Sequence, residues 1–380
     1  MFQEWFEQKI TRRTFLELSM MTSGSLVFPH TAKAVNDMDL TGGINQEREF
    51  VLPQRPTTAD LRDAVNVWIE ERSGAFALRI GVEALAEKWD NQLVWLDIAF
   101  PDGRVLNLRD ESGPTHPALD AQGRPTIRGS GGVSFQCLEP FKHWRVTFSG
   151  QAPETTAMDL IQGVWPEQPP MTQVTLAIDM HMAVPPWAPG SMLKKSDTTL
   201  NGEQAEFISP RYEQLFRCQG SMQVGDQTYP VNGNGLRIRR QGVRKFEGFW
   251  GHCWQSAVFP SGKAFGFNTF PPRQDGEPSY NEGYVFNGSG VLKPARVIQV
   301  PWITELKTQG DDVSFVLATD EGEISVEGKT FINTRSRAPG QLPPGFPIVQ
   351  QAHAIYRWNG EETVGMVERS SLPEVFTHLP

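Results

Sequence analysis

Six short turn signals punctuate the chain, and this punctuation restricts its fold more than any other feature. Pro101-Asp102-Gly103, Gly225-Asp226, Pro260-Ser261-Gly262, Asn287-Gly288, Asp320-Glu321-Gly322 and Asn359-Gly360 each stand between strand-like runs. Gly and Asn reach the positive φ that a tight hairpin requires. The runs between the turns alternate with period two. Val174, Leu176, Ile178, Met180 and Met182 share one face, with Thr175, Ala177, Asp179 and His181 on the other; Val313, Phe315 and Leu317 alternate with Ser314 and Val316. From about residue 76 onward the spacing predicts antiparallel β structure, and the class is all-β. Residues 58–71 are the exception: they open on a plausible cap and read as a short helix. A sheet that buries one face must close into a barrel or meet a second sheet.

A chain of 380 residues exceeds the usual single core, so two domains are expected after a leader, 35–222 and 223–380, the boundary set near residue 222. Hydrophobic residues at 39% and eleven tryptophans supply the apolar surface for both cores. A net charge of −9 leaves no basic face for a nucleic acid. No run after residue 34 approaches the roughly eighteen apolar residues of a membrane span, so stable membrane insertion is not expected. Cys137, Cys218 and Cys253 show no paired spacing and predict no disulfide framework. The seven histidines are scattered, none at i, i+4 from another, and no phosphate loop or haem-attachment motif occurs. No metal and no other cofactor is implied. Two Pro/Gly-rich passages, 185–202 and 335–347, interrupt the alternation; the first reads as a lid or a long connection.

The densest candidate for chemistry is residues 246–256. On a strand, Trp250, His252, Trp254 and Ser256 fall on one face, an imidazole between two indoles. That face either lines an apolar pocket, with His252 exchanging a proton and the indoles flanking a cation, or is core. Glu282 and Tyr284 share a face further on, and bring a carboxylate and a phenol to one ligand or tie down a turn. Asp179 and His181 form a similar pair in the first domain, facing solvent or a polar barrel lumen. Glu213 is a further carboxylate with no partner visible in the sequence. Arg237, Arg239, Arg240, Arg244 and Lys245 make a basic cluster, read as a solvated strand face, with capture of an anion as the alternative.

Several of these segments resemble a known family. Gly233-Asn234-Gly235-Leu236-Arg237, Trp250-Gly251-His252-Cys253-Trp254, Phe259-Pro260-Ser261-Gly262 and Asn281-Glu282-Gly283-Tyr284-Val285 are similar to the second half of the lipocalin-like tandem-barrel proteins related to carotenoid 1,2-hydratase and the AttH group. Tyr356-Arg357-Trp358-Asn359-Gly360 resembles their closing hairpin, and Glu139-Pro140-Phe141-Lys142-His143-Trp144 their partner domain. The resemblance implies two lipocalin-like antiparallel β-barrels in tandem, with ligand space in a barrel mouth or at their interface. Where better-known members carry an Asp-His-Ser-Trp-Gly-like segment, this chain has Ile238-Arg239-Arg240-Gln241-Gly242, so a hydratase mechanism does not transfer directly.

Thr11-Arg12-Arg13-Thr14-Phe15-Leu16 resembles the twin-arginine export signal, and Ala32-Lys33-Ala34 has the form of its cleavage site. Residues 1–34 are therefore expected to be a signal peptide, the export machinery a partner, and the location periplasmic or otherwise exported. Three functions stay open. One is an exported enzyme that hydrates, isomerises or cyclises an apolar terpenoid, steroid-like or lipid-derived molecule, with Glu282, His252 or Asp179 giving the proton and Trp250, Trp254, Tyr284, His181 and Glu213 around the ligand. Another is a non-catalytic carrier of the same hydrophobic small molecule. The third is an interaction module with filled barrels, for either half.

Overall fold

Each of the six turn signals joins two strands that pair with each other. The structure, a computed structural model, describes residues 38–192, 207, 210–244, 246, 248–273, 279–336 and 345–376. The expected signal peptide, Lys245 and Glu247 lie outside the described residues. The first sheet comprises β1 Leu61–Glu71, β2 Ala77–Leu85, β3 Leu93–Ala99, β4 Arg104–Asp110, β5 Ile127–Ser130, β6 Val133–Glu139, β7 His143–Thr156, β8 Met171–Met182, β9 Arg211–Val224 and β10 Gln227–Val243. The second comprises β11 Gly251–Val258, β12 Lys263–Thr269, β13 Asn281–Asn287, β14 Lys293–Gln299, β15 Phe315–Thr319, β16 Gly322–Arg335, β17 Ile348–Trp358 and β18 Glu361–Ser371. The last turn shows the chemistry of the others: Asn359 and Gly360 take φ of 50° and 78°, the two positive values of a tight hairpin.

The second sheet closes in chain order, β18 returning to β11. The first runs β4-β3-β2-β1-β10-β9-β8-β7-β6-β5 and curls until β4 meets the end of β7, Arg104 opposite Thr156 and Leu106 opposite Glu154. The fold is all-β, two lipocalin-like antiparallel barrels in tandem.

Two expectations are corrected. Residues 61–71 are strand, not helix. β1 is buried on both faces, odd residues from Asp63 to Ile69 toward the first barrel's interior and even residues toward the second barrel. A strand without a solvent face loses the polar half of its alternation. The boundary near 222 falls inside β9; β10 belongs to the first barrel, and the chain changes sheet between Val243 and Gly251.

Both interiors are filled by side chains. In the second, Cys253, Phe265, Phe267, Val285, Phe315 and Tyr356 belong to one apolar cluster. In the first, charge is buried as well. Glu49 accepts from Arg237 Nη2 at 2.8 Å, Trp144 Nε1 at 2.7 Å, the Phe141 amide at 2.9 Å and the Tyr212 hydroxyl. Asp63 is paired with Arg128 and Arg239. Burial pushes the Glu49 carboxyl up, but the Arg237 charge and the hydrogen bonds from Tyr212, Arg237 and Phe141 outweigh it and hold it below its ordinary range. Arg237 and Arg239 therefore belong to an ion-paired interior, where the sequence suggested a solvated face. Cys137, Cys218 and Cys253 are buried free thiols.

Removing one partner of such a pair leaves an uncompensated charge. Glu49→Ala is expected to cost about 3–5 kcal/mol, with Glu49→Leu combined with Arg237→Met recovering most of that loss. Urea denaturation of the two variants checks this.

Candidate functional site

The outward faces of the two barrels meet each other, and a second set of buried polar groups, apart from those inside the first barrel, lies along that seam. Cross-strand register lays out the first barrel's wall in rows. Glu83, Ala64, Arg240 and Arg211 form one row across β2, β1, β10 and β9. Asn66, Ile238 and Glu213 form the next, and Arg79, Trp68, Leu236 and Leu215 the one after. The second barrel supplies His252, Trp254 and Ser256 from β11, His353 from β17, and Glu368 and Ser370 from β18. They alternate with interior residues such as Cys253 and Val367.

Named contacts cross the seam. Trp254 Nε1 donates to Glu213 Oε2 at 3.0 Å. Trp68 meets the Trp254 ring edge to face at 6.2 Å and the His353 ring at 5.6 Å, and His353 Nδ1 lies 3.1 Å from Glu70 Oε1. The Arg211 guanidinium lies over the Trp254 ring at 5.0 Å.

Glu213 is 2% exposed. Its Oε1 approaches Arg211 Nη2 to 2.6 Å, without the alignment of a hydrogen bond. Burial pushes the carboxyl up, and the opposing effects of Arg211 and Trp254 do not bring it back to the ordinary value. Glu70, facing His353, is likewise pushed up by burial. Glu368 goes the other way. Burial pushes it up, but the hydrogen bond and charge of His252, the Arg79 guanidinium and Gln351 hold it at about 2. His252 Nε2 lies 3.2 Å from Glu368 Oε1 and its Nδ1 lies 3.0 Å from Ser370 Oγ. The seam thus holds two carboxyls inclined to keep their protons, Glu213 and Glu70, and a third, Glu368, inclined to lose it.

Glu282 and Tyr284 do share a face, and each has a partner in the segment that leaves β8. The Glu282 carboxylate accepts from the backbone amides of Gly190 and Met192, the latter at 2.6 Å, and from the Tyr280 hydroxyl. Tyr284 packs on Trp187 at 5.6 Å and covers Gly266, where a Cβ would come within 2.6 Å of the phenol ring. Trp187 exchanges both backbone hydrogen bonds with Glu213, so the segment straps β9 to β13. Glu282 thereby anchors a connection, the structural alternative of its sequence reading. The rest of the expected lid or connection, 193–202, lies outside the described residues.

Trp250 precedes β11 and leaves the face of His252. It donates to the Pro271 carbonyl at 3.1 Å and packs on Phe270, beside a cluster of Phe207, Phe249, Phe270 and Tyr280. Asp179 and His181 are not brought to the seam. β8 turns them outward, where Asp179 binds His143 at 2.7 Å and Arg145, and His181 stacks on His143 at 4.4 Å. Trp68, Glu70, Arg79, Arg211, His353 and Glu368 escaped sequence reasoning. The period-two run of Asn66, Trp68 and Glu70 was the available signal, masked by reading those residues as helix. Among the described residues, no three His, Cys, Asp or Glu side chains converge as a metal site requires. A cleft of about 430 Å³ opens along the same seam beyond Trp68, lined by Arg217, Asn234, Phe331, Ile355 and Val364.

A model of the family described as "Domain of unknown function (DUF7064)" matches residues 53–373. Among solved structures, an AttH-like protein of Nitrosomonas europaea is similar at 14% identity and a TM-score of 0.50, covering 85% of this chain and 99% of its own. That likeness is one of fold. Kievitone hydratase of Nectria haematococca gives 10% identity and 0.45, with 89% and 94% covered, and CghA gives 7% and 0.43, with 85% and 96% covered. No curated protein matches the chain.

The Glu368 carboxyl, at about 2 when folded and near 4.5 when unfolded, contributes stability that is present above 4.5 and lost as pH falls toward 2. Glu368→Gln should remove that part of the acid limb, as read by thermal melts from pH 6 to pH 2, taken as roughly the range over which such linkage acts.

Proposed function

The chain belongs to the DUF7064 family, whose model spans both barrels, and we propose that it is a hydratase-type enzyme acting on an apolar small molecule with its own side chains, in the exported compartment that residues 1–34 imply. Glu213 is the acid. The observation that carries this reading is a fully buried carboxyl with one oxygen held by the Trp254 indole and the other 2.6 Å from the Arg211 guanidinium, in which burial outweighs both partners and raises the carboxyl. A carboxyl that keeps its proton in an apolar site can donate it.

The chemistry balances with water alone. Glu213 gives its proton to one carbon of a double bond, and the neighbouring carbon becomes cationic. Trp254 and Trp68, whose rings also carry the Arg211 and Arg79 guanidinium groups, are the aromatic groups beside that charge. Water adds to the cation and its surplus proton returns to the Glu213 carboxylate, regenerating the acid. If an internal double bond captures the cation and the new cation then loses a proton to the Glu213 carboxylate, the same site cyclises; if a carbon next to the first cation loses that proton instead, it isomerises. A cleft of small-molecule size opens one row beyond Trp68, where Asn234 and Arg217 line it.

Native mass spectrometry of the protein purified from its own cells, followed by extraction of any bound molecule, supplies the compound for turnover. Glu213→Gln, which keeps an acceptor for Trp254, is expected to lower the rate about a hundredfold or more. The folded carboxyl keeps its proton above the ordinary 4.5, so both the rate and its stability contribution are full below that value. Both are lost as pH rises through the folded pKa, a dependence absent from the variant. Unchanged turnover in Glu213→Gln rejects Glu213 as the acid, and a bound molecule returned unaltered marks a carrier instead.

A further inference from the structure

Arg240 and Arg211 stand directly opposite each other on β10 and β9. Like charges in that position repel across about 5 Å. Both are buried, Arg240 to 5% exposure. Their row offers little compensation. Ala64 is neutral, and Glu83, at the row's end, is already paired with Arg62. Among the described residues no carboxylate lies within ion-pair distance of Arg240, and its Nε has no hydrogen bond. Arg211 reaches only Glu213, and its Nε and Nη2 lack aligned partners. Arg244 lies close by, donating to the Phe207 carbonyl at 3.1 Å with its guanidinium over the Phe207 and Phe246 rings.

The arginines depress one another. Burial pushes Arg240 well down, and Arg244 and Arg211 push it further; burial, Arg211 and Arg62 bring Arg244 to about 9 against the pull of Glu83. If Glu213 holds its proton, Arg211 too is left without a counter-charge. A buried, unpaired guanidinium is costly, and an arriving anion relieves that cost.

We infer that the facing guanidinium groups of Arg211 and Arg240 receive the anionic group of the substrate, a carboxylate or similar oxyanion on an elongated and otherwise apolar molecule. This rests on Glu213 as the acid. Glu213 is two residues along β9 from Arg211 and its Oε1 lies 2.6 Å from Arg211 Nη2, so the reacting double bond lies beside the anionic group. Trp68 is one row further, and the apolar tail runs past it toward the 430 Å³ cleft. The aromatic cluster of Phe207, Phe249 and Phe270 closes the anionic end against water.

The test compares decanoate with 1-decanol, identical chains with and without the charge, by quenching of intrinsic tryptophan fluorescence. Wild-type protein is expected to bind decanoate at least about tenfold more tightly, the worth of one charge-assisted hydrogen bond. Arg240→Met should bring the two probes to parity while melting no lower than wild type, because it removes an unpaired buried charge. Arg357→Met, which breaks the exposed pair with Glu362, should leave the preference intact. Equal binding of the probes by wild type, or an undiminished preference in Arg240→Met, overturns the inference. Glu213→Gln should keep the decanoate preference, so a failure of the acid assignment and a failure of the anion site give different results.

Discussion

In a closed antiparallel barrel every second side chain points inward and the rest point out, and the organisation of this protein follows from what fills the inside. The second interior is a packed apolar cluster around Phe265, Phe315 and Tyr356, and the first is occupied by the Glu49–Arg237 and Asp63–Arg239 pairs. Neither barrel therefore works as the hollow cup that a lipocalin-like fold suggests. The outward residues of β1, β9, β10, β11, β17 and β18 become a further buried layer, formed between barrels.

A seam made from outer walls inherits charged residues that would elsewhere be solvated. Burial forces each to find a partner, change its protonation or stay strained. All three outcomes occur within a few rows. Glu368 is held ionised by His252 and Arg79, Glu213 and Glu70 are pushed toward their protonated forms, and Arg240 faces Arg211 across adjacent strands. Groups driven apart in proton affinity at one location are the signature of acid and base roles. An excess of buried positive charge beside them is the signature of recognition.

Much of the fold was legible because hairpins depend on local chemistry. All six turn signals join paired strands, and the faces of β8 and of His252, Trp254 and Ser256 follow from period two alone. What was not legible is which face meets another barrel. Asp179 with His181 and Glu213 with Arg211 are the same kind of pair, two residues apart on a strand. Only tertiary packing leaves the first in solvent and buries the second. Burial on both faces hid β1, and with it Trp68 and Glu70. Glu282 was read as a carboxylate sharing a face with Tyr284, but its two backbone amide donors come from a segment about ninety residues away, a distance no local pattern reports.

The central claim is that the Glu213 carboxyl is a protonated acid held between the barrels. Carbon-13 NMR of the glutamate side-chain carboxyls, with Glu213→Gln to assign the signal, measures it directly. A Glu213 midpoint clearly above the ordinary 4.5 is the expected result, together with a further change on binding decanoate. A midpoint at or below 4.5 would contradict the account, because the site would then hold a carboxylate with no proton to give.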